Sequence, residues 1–317
     1  MNDKKVIAVV GATGAQGGGL ARAILDDPRG GFAVRALTRN VQSDNARALA
    51  ARGAEVVAAD SDAGTSLERA LQGAYGAYFV TNFWEHFDPE REKAQARNMV
   101  EAAKAAGLRH VIWSTLDDTR LRLPLDDERM PTLLEQYKVP HFDAKGESDV
   151  YFLEARLPVT LLKTSFYWDN LIHFGMGPRP GSDGVLELVL PMGEAKLPGI
   201  AAEDIGRAAY GIFQAGETYI GKRVGIAGEH LTGEEMAQAL TRSLGREVRY
   251  REVTPAQYRA LGFPGAEDLG NMFQYKRDFE AAYRAARDVD TSRVLNPRLQ
   301  TFAQWLEDNA GRIPLEG

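Results

Sequence analysis

Three glycines spaced three residues apart follow the first hydrophobic segment of the chain. Gly11, Gly14 and Gly17 belong to the run GATGAQGGG, directly after VIAVV at 6–10, and an amphipathic segment begins at Gln16. A dinucleotide pyrophosphate must approach backbone N–H groups at a helix N-terminus, where any β-carbon would obstruct it. The spacing is a variant of the usual Gly-x-Gly-x-x-Gly pattern, and a flexible turn is the alternative. Because a strand precedes it and a helix follows, the run predicts a dinucleotide-binding loop with cofactor contacts at Gly11, Gly14, Ala15 and Gly17.

The residue that follows the second predicted strand bears on the kind of dinucleotide. An NAD enzyme places Asp or Glu there to accept a hydrogen bond from the ribose 2′-hydroxyl. This chain has Arg39 instead. A guanidinium cannot accept that hydrogen bond, but it suits a 2′-phosphate through charge-assisted contacts. NADP(H) is therefore favoured over NAD(H), and an ordinary surface arginine is the alternative.

Polar and aromatic side chains follow several other predicted strands, at the edge where ligands of open α/β sheets bind. Asp60 or Asp62 can accept a hydrogen bond from an adenine amino group, and Phe83 with Trp84 can flank a ring. Helix capping and packing between lobes are the alternatives. The residues at strand ends that we predict to contact the cofactor are Asp60, Ser61, Asp62, Thr81, Asn82, Phe83, Ser114, Phe166, Tyr167 and Asn170.

The chain lacks the usual pair of a short-chain reductase, a tyrosine followed four residues later by a lysine. In that pair the lysine lowers the pKa of the phenol, which protonates the substrate oxygen as hydride arrives. Where the pair is expected, after the fifth strand, the chain has HFDAK at 141–145. Lys145 can bind the nicotinamide ribose, and His141 can donate a proton near neutral pH. A loop histidine without a special role, and the absence of any catalytic acid, are the alternatives.

The elements that must position these residues alternate between short β-branched runs and amphipathic segments. We predict strands at 6–10, 33–38, 55–58, 77–80, 110–114 and 159–163. We predict helices at 16–25, 45–51, 67–71, 89–106 and 145–154. Such a series of strand–helix–strand units implies a parallel sheet with helices on both faces.

Helix-capping signals support this series. Capping boxes are predicted to open helices at Thr65, Thr232 and Thr254, and Asp88 is predicted to cap the helix that begins with Pro89. The clustered Asp, Arg and Leu residues between the fifth strand and the Lys145 helix, at 117–137, are expected to form a surface excursion.

The alternation ends near residue 164, and a Gly/Pro-rich stretch follows at 175–184. We therefore predict an α/β fold, a Rossmann doubly wound parallel sheet, for an NADP-binding domain at 1–164. A strand near 221–228 is expected to return to this sheet. A smaller mixed, partly helical C-terminal lobe for substrate or partner is expected from 165–220 and 229–317.

Charge and composition limit the classes of partner and site. The formal net charge is −6, so the chain lacks the excess of basic residues that nucleic-acid binding requires. There is no cysteine, which excludes disulfides and cysteine-based metal sites, and the five histidines show no metal-binding spacing. No apolar run is long enough to span a bilayer, so no membrane association is expected and a cytoplasmic protein is predicted.

Several stretches carry a resemblance that covers nearly the whole chain. They are GATGAQGG at 11–18, TNFWE at 81–85, HFDAKGE at 141–147, LGFPGA at 261–266 and NMF at 271–273. In these stretches the chain resembles the NmrA-like family of atypical short-chain dehydrogenases/reductases, including a human redox-sensing member. The resemblance implies an NADP-binding Rossmann domain, a smaller C-terminal lobe and a cleft between them. It assigns cofactor contacts to Thr13, Gln16, Arg39, Asp62, Thr81, Asn82, Lys93, Lys145, Tyr167 and Asn170.

The family includes both regulators and enzymes. Regulators report the NADPH/NADP balance through protein partners, and the enzymes reduce quinones or related unsaturated compounds. Because the Tyr-x-x-x-Lys pair is missing, we predict an NADP(H)-binding redox sensor with weak or no catalysis. The alternative is an NADPH-dependent reductase of quinones, enones or other small carbonyl compounds, since quinone reduction can take its proton from water. A small aromatic or quinone substrate, a protein partner and a homodimer are all compatible with the resemblance.

Overall fold

The computed structural model describes residues 4–315. The strands are β1 (Lys5–Val10), β2 (Phe32–Thr38), β3 (Glu55–Ala58), β4 (Gly76–Phe79), β5 (His110–Thr115), β6 (Val159–Lys163), β7 (Phe166–Tyr167), β8 (Arg179–Pro180), β9 (Leu186–Leu190), β10 (Leu197–Ile200), β11 (Arg223–Gly225), β12 (Glu229–Leu231) and β13 (Val248–Glu252). The helices are α1 (Ala15–Leu25), α2 (Asp44–Ala51), α3 (Gly64–Leu71), α4 (Pro89–Ala105), α5 (Pro140–Glu154), α6 (Asn170–His173), α7 (Ala202–Gln214), α8 (Gly233–Leu244), α9 (Pro255–Arg259), α10 (Ala266–Asp278), α11 (Glu280–Ala285), α12 (Val289–Leu295) and α13 (Phe302–Asn309).

The largest sheet has seven parallel strands in the order β3, β2, β1, β4, β5, β6, β11. Strand β1 lies between β2 and β4, so the direction of strand addition reverses there. In open α/β sheets such a switch point places the ligand crevice at the carboxyl ends of the strands. The predicted Rossmann fold class is confirmed. The edge strand β11 lies near the position where a returning strand was expected, and it pairs with β6.

Helices cover both faces of this sheet, as strand–helix–strand units require. On one face Leu20 of α1 and Phe213 of α7 are buried against the sheet. On the other face Met99 of α4 and Phe152 of α5 are buried, and the Phe152 ring stacks on Trp113 of β5 with 4.9 Å between centroids. These side chains are apolar and almost fully buried, so both helical layers are fixed by packing.

Helices α1 and α7 approach each other at backbone distance. A β-carbon at Gly19 would lie 2.6 Å from the carbonyl oxygen of Glu203. A β-carbon at Gly206 would overlap the backbone nitrogen of Leu20. The two helices therefore pack closely only because glycine occupies both positions.

The C-terminal part of the chain builds a separate hydrophobic core. Two small sheets belong to it, with the strand orders β12-β10-β7 and β13-β9-β8. Leu188, Phe273 and Trp305 lie in this core, together with Val139 and Phe142 from the first half of the chain. No helix within residues 4–315 is both long and apolar enough to cross a membrane.

The segment 117–137 is not simply the surface excursion that was expected. Leu123 and Met130 are buried in the C-terminal core, although other leucines of the segment are exposed. The Asn271 side chain of α10 donates a hydrogen bond of 2.9 Å to the carbonyl oxygen of Pro131. The segment is thus held by the burial of two of its apolar side chains and by a hydrogen bond from Asn271. Because Asn271 lies far along the chain, the sequence of the segment itself does not predict this contact.

Three predicted helix caps are confirmed. Asp88 accepts hydrogen bonds from the first backbone N–H groups of α4. Thr232 and Thr254 form complete capping boxes at the starts of α8 and α9. These caps involve residues no more than three positions apart, which is why sequence alone locates them.

The capping box predicted at Thr65 is wrong. Helix α3 begins at Gly64, and Ala63 at its N-cap provides no side-chain hydrogen bond. The neighbouring hydroxyl of Ser66 instead accepts a hydrogen bond of 3.1 Å from the backbone N–H of Asp60. The turn before α3 therefore uses a Ser hydroxyl to hold the end of β3 rather than to cap the helix.

The close contact between α1 and α7 gives a direct test of the packing. We expect Gly206→Ala to lower the free energy of unfolding by about 3 kcal/mol or more, because the added methyl overlaps rigid backbone. Gly311→Ala is the matched control, since a β-carbon there meets nothing within 4 Å. Urea denaturation of both variants provides the measurement, and equal stabilities would contradict the role of this contact.

Candidate functional site

The glycine loop leaves the N-terminus of α1 open. Gly14 is the N-cap residue and no side chain caps the helix. Gly11 has a φ of +66°, and a β-carbon at Gly17 would lie 2.5 Å from the Gly11 carbonyl oxygen. The loop can take this tight form only because Gly11 and Gly17 have no side chain. The backbone N–H groups of the first helical turn are therefore available to an anion.

Two adjoining cavities lie at this edge of the sheet. The smaller one, of about 160 Å³, lies against Arg39 and Asp60. The larger one, of about 470 Å³, extends from the glycine loop to α10 of the C-terminal core. The predicted site residues that line one or both cavities are Gly11, Thr13, Gly14, Ala15, Gln16, Gly17, Arg39, Asp60, Ser61, Asp62, Thr81, Asn82, Phe83, His141, Lys145, Phe166, Tyr167 and Asn170.

Arg39 is already paired. Its guanidinium makes two hydrogen bonds to the carboxylate of Glu85, one of them 3.0 Å long, and both residues line the two cavities. This contact holds the pKa of the Glu85 carboxyl below its usual range. A ligand phosphate that binds Arg39 must compete with this carboxylate.

Asp62 is paired as well. Its carboxylate accepts hydrogen bonds from Arg91 at 2.6 Å and from Gln95 at 2.9 Å, both on α4. The Arg91 hydrogen bond lowers the pKa of the Asp62 carboxyl. Asp62 thus fixes the start of α4 against the end of β3, at the wall of the smaller cavity.

Gln16 connects the glycine loop to the centre of the sheet. Its side-chain oxygen accepts hydrogen bonds from the hydroxyls of Tyr78 on β4 and Ser114 on β5, the latter at 2.8 Å. Its amide nitrogen donates to the Tyr167 hydroxyl. Burial raises the pKa of both phenols, that of Tyr167 to about 12, so both remain neutral at physiological pH.

Lys145 forms a buried ion pair at the end of β4. Its ammonium lies 3.1 Å from a carboxylate oxygen of Glu92 and 2.5 Å from the Thr81 hydroxyl, to which it donates. Glu92 is fully buried, and its second carboxylate oxygen has no hydrogen-bond partner within residues 4–315. The ammonium also lies 5.1 Å from the ring centre of Trp113. Lys145 lines the larger cavity, and its contacts with Glu92 and Thr81 fix the position of its ammonium group.

His141 lies one helical turn before Lys145. Helix α5 begins at Pro140 rather than at the predicted 145, so both side chains belong to one helix at i and i+4. The His141 Nδ1 lies 2.6 Å from a carboxylate oxygen of Asp268 on α10. The His141 ring also packs against Trp84, with 4.7 Å between ring centres. Its Nε2 has no hydrogen-bond partner among the residues that the structure describes.

Two predicted contact residues do not line either cavity. The Lys93 ammonium instead lies 2.7 Å from Glu90 and 3.0 Å from Glu147. Ser114 is buried, and it reaches the site only through its hydrogen bond to Gln16. The geometry thus gives Lys93 a role in holding α4 to α5, and Ser114 a role in positioning the loop.

Sequence reasoning missed Glu92 and Asp268. Glu92 occupies the buried face of α4, at helical spacing from Pro89 and Ala96, which is a signal that the sequence does contain. Asp268 lies 127 residues after His141, and nothing local to either residue predicts their contact. Within residues 4–315 no three His, Asp or Glu side chains group closely enough to hold a metal ion.

The residues gathered here fit a nicotinamide dinucleotide. The glycine cradle and open helix N-terminus suit a pyrophosphate, and a guanidinium and an ammonium suit phosphate and ribose oxygens. A β-carbon in the cradle would collide with backbone, so the open loop is a feature of the fold itself.

Comparisons with known sequences agree with this geometry. The model of the NmrA-like family matches residues 3–306. An NmrA-like family domain-containing oxidoreductase, FrzB of Cladobotryum sp, is 29% identical over 311 residues, which cover 92% of this chain and 90% of FrzB.

Solved structures share the architecture. Crystalline NmrA, a negative transcriptional regulator, is 25% identical with a TM-score of 0.78, covering 97% of this chain and 96% of NmrA. NmrA has been solved with NAD and with NADP. The triphenylmethane reductase of Citrobacter sp., solved with NADP(H), is 21% identical with a TM-score of 0.75 and covers 96% of this chain and 99% of the reductase.

The ion pair of Lys145 and Glu92 predicts that removing both charges costs less stability than removing the lysine alone. We expect Lys145→Met to lower the free energy of unfolding by about 3 kcal/mol, because it leaves the Glu92 carboxylate buried without its cation. Adding Glu92→Gln should recover at least half of that loss, since the buried charge is then gone. Lys104→Met, which removes an exposed ion pair on α4, is the control and should change stability by less than about 0.5 kcal/mol. Urea denaturation measures the free energy of unfolding of each variant. If Lys145→Met were as stable as Lys104→Met, the buried ion pair between Lys145 and Glu92 would be refuted.

Proposed function

The chain belongs to the NmrA-like family, and from this premise we propose that it is an NADP(H)-dependent reductase of small, flat, unsaturated carbonyl compounds such as quinones or enones. One observation carries the proposal. His141 and Lys145 project from one face of α5 into the largely apolar cavity of about 470 Å³ that extends from the glycine loop to α10, so that a substrate there would lie beside the cofactor. A cavity of this size suits a small organic ligand.

Cofactor binding in this proposal uses groups that are already in position. The first turn of α1 binds the pyrophosphate, and Arg39 binds the 2′-phosphate after leaving Glu85. Lys145 and Asn82 hold the nicotinamide ribose at the end of β4. When bound, the reduced cofactor supplies a hydride to the substrate carbon.

His141 takes the role that a tyrosine fills in other short-chain reductases. A reduced carbonyl needs one proton on oxygen for each hydride on carbon. With Asp268 accepting from Nδ1–H, Nε2 is the ring nitrogen left to carry a proton to a substrate in the cavity that His141 lines. The hydrogen bond to the Asp268 carboxylate fixes the orientation of the ring. The i, i+4 spacing from Lys145 supports this role, because it equals that of the usual Tyr-x-x-x-Lys pair.

The walls of the larger cavity indicate the substrate class. Apolar side chains contribute most of its lining, with Phe142, Phe166 and Met272 among them. Such walls favour flat apolar rings over sugars or charged acids. The Citrobacter enzyme, which shares the fold, is described as a triphenylmethane reductase, which supports reduction of an aromatic compound but not the carbonyl class itself.

A redox-state sensor is the second candidate, and an exposed apolar surface favours it. Phe87 and Phe174 are about half exposed, and Phe174 lines the larger cavity. The Trp84 ring contacts Phe87 and Phe174, with centroid distances of 5.7 Å and 6.2 Å. Because Trp84 also lines the cavity, cofactor binding there would alter a surface suited to a protein partner. The likeness to NmrA, described as a transcriptional regulator, points the same way.

Turnover of bound NADPH separates the two candidates. We expect a panel of quinones and enones to include acceptors that rapidly oxidise stoichiometric NADPH, followed by its absorbance. For the enones of the panel, His141→Gln should slow that oxidation about 100-fold with an unchanged dissociation constant for NADPH, because only proton donation is lost; quinones, whose reduction can take its proton from water, should be slowed much less. His230→Gln is the control, since His230 lies outside the cavity and hydrogen-bonds the backbone of Arg287. Tight NADPH binding without oxidation by any acceptor would reject the reductase and favour the sensor.

Cofactor preference is tested at the Arg39 pair. We expect Glu85→Gln to tighten NADPH binding about three- to tenfold relative to NADH, because the guanidinium is released for the 2′-phosphate. Arg39→Ala should weaken NADPH binding about tenfold or more while changing NADH binding less than about twofold. Glu101→Gln, at an exposed pair on α4, is the control. Titration calorimetry measures the dissociation constants for NADPH and NADH. An equal loss of affinity for both dinucleotides in Arg39→Ala would contradict a preference for NADPH at Arg39.

A further inference from the structure

Lys276 is a buried lysine that the proposed reduction does not use. It lies on α10, is 2% exposed and lines the larger cavity beside Met272 and Phe166. Lysine is rarely buried unless it is paired, so this position requires an explanation.

The surroundings of Lys276 are almost entirely apolar. Its Nζ lies 5.5 to 5.8 Å from the ring centres of Phe142, Phe166, Phe273 and Tyr283. Its one polar contact within residues 4–315 is the thioether sulfur of Met272 at 3.2 Å. A thioether is a weak acceptor and does not compensate an ammonium charge.

Asp117, the carboxylate whose charge acts on Lys276, already pairs with two other cations. Asp117 is bound by Arg287 at 2.8 Å and by Lys163 at 2.6 Å, so two cations share it. Arg287 also lies 3.6 Å from the Tyr283 ring centre, on the ring that Lys276 faces. The ionisable groups around Lys276 are thus Arg287, Asp117 and Tyr283, and none of them pairs with it.

These surroundings favour the neutral amine. Burial lowers the pKa of Lys276 well below its usual range, and the Arg287 guanidinium lowers it further, while Asp117 opposes the shift. An uncharged amine keeps its lone pair and is a nucleophile at neutral pH. A lysine desolvated in an apolar pocket next to another cation is a known way to obtain such a nucleophile.

We propose that Lys276 is a carbonyl-binding site, where the amine condenses reversibly with an apolar ketone or aldehyde that enters the larger cavity. The nitrogen forms a bond to the carbonyl carbon. The carbonyl oxygen leaves as water, which takes both hydrogens of the amine, and an imine remains. No oxidant or reductant takes part, so the site acts with or without hydride transfer. In the proposed reductase it anchors a compound that has a second carbonyl group for reduction, and it gives a sensor a ligand of its own.

A small 1,3-diketone, pentane-2,4-dione, tests the proposal on the 317-residue chain without nicotinamide. Its imine with Lys276 rearranges to a conjugated enaminone with a new near-ultraviolet absorption band. We expect one adduct per chain at pH 7, of the mass of the diketone less one water, mapped to Lys276 by peptide analysis. In Lys276→Met the adduct should fall at least about tenfold, whereas Lys104→Met, which removes a surface lysine, should label like the unmodified chain.

The pH profile keeps the test independent of how well the variant folds. In the unmodified chain, labelling at Lys276 should rise much less steeply between pH 7 and pH 9 than labelling at surface lysines, because the pKa of Lys276 is lowered. Labelling at surface lysines should rise about tenfold per pH unit, because their ordinary pKa lies above 10. Labelling spread over surface lysines, or an unchanged adduct in folded Lys276→Met, would overturn the proposal. Because no nicotinamide is present, either result is separate from the outcome of the NADPH experiment.

Discussion

The close approach of backbone segments around α1 is the constraint on which the rest of the structure depends. Gly17 allows the helix to start directly against the carbonyl of Gly11, and Gly19 with Gly206 allows α1 to rest on α7. The first contact creates the anion cradle, and the second fixes the helical layer beneath it. Helix α7 is followed in the chain by the edge strand β11, so the same contacts lie next to that edge of the sheet in the sequence.

The sheet and its helices could be predicted because the signals for them are local. Hydrophobic periodicity identified the strand–helix alternation, and the caps at Asp88, Thr232 and Thr254 lie within a turn of the groups that they bind. The start of α5 was placed five residues late, although a proline at the first helical position is a favourable start. The burial of part of 117–137 could not be predicted, because its partner α10 lies far along the chain.

The candidate site also contains residues that the sequence predicts and partners that it does not. Residues at the glycine loop and at strand ends were predicted from their order in the chain, since parallel strands bring their carboxyl ends together. Their partners were not predicted. Glu85 is 46 residues from Arg39, and Asp268 is 127 residues from His141, so only the folded chain reveals these pairs. The aromatic rings around Lys276 likewise come from separate elements, among them Phe142 of α5, Phe166 of β7 and Phe273 of α10.

The edge strand β11 has a consequence for the order in which the chain acquires its structure. Its partner β6 ends at Lys163, and about sixty residues that include β7 to β10 and α7 are synthesised before Arg223 appears. The parallel sheet therefore cannot be complete on the ribosome until much of the C-terminal part has emerged. Until then β6 presents an unpaired edge, which can pair with other chains. The interleaved topology thus links the two parts of the molecule during biosynthesis, and a truncation after β6 would leave an aggregation-prone sheet.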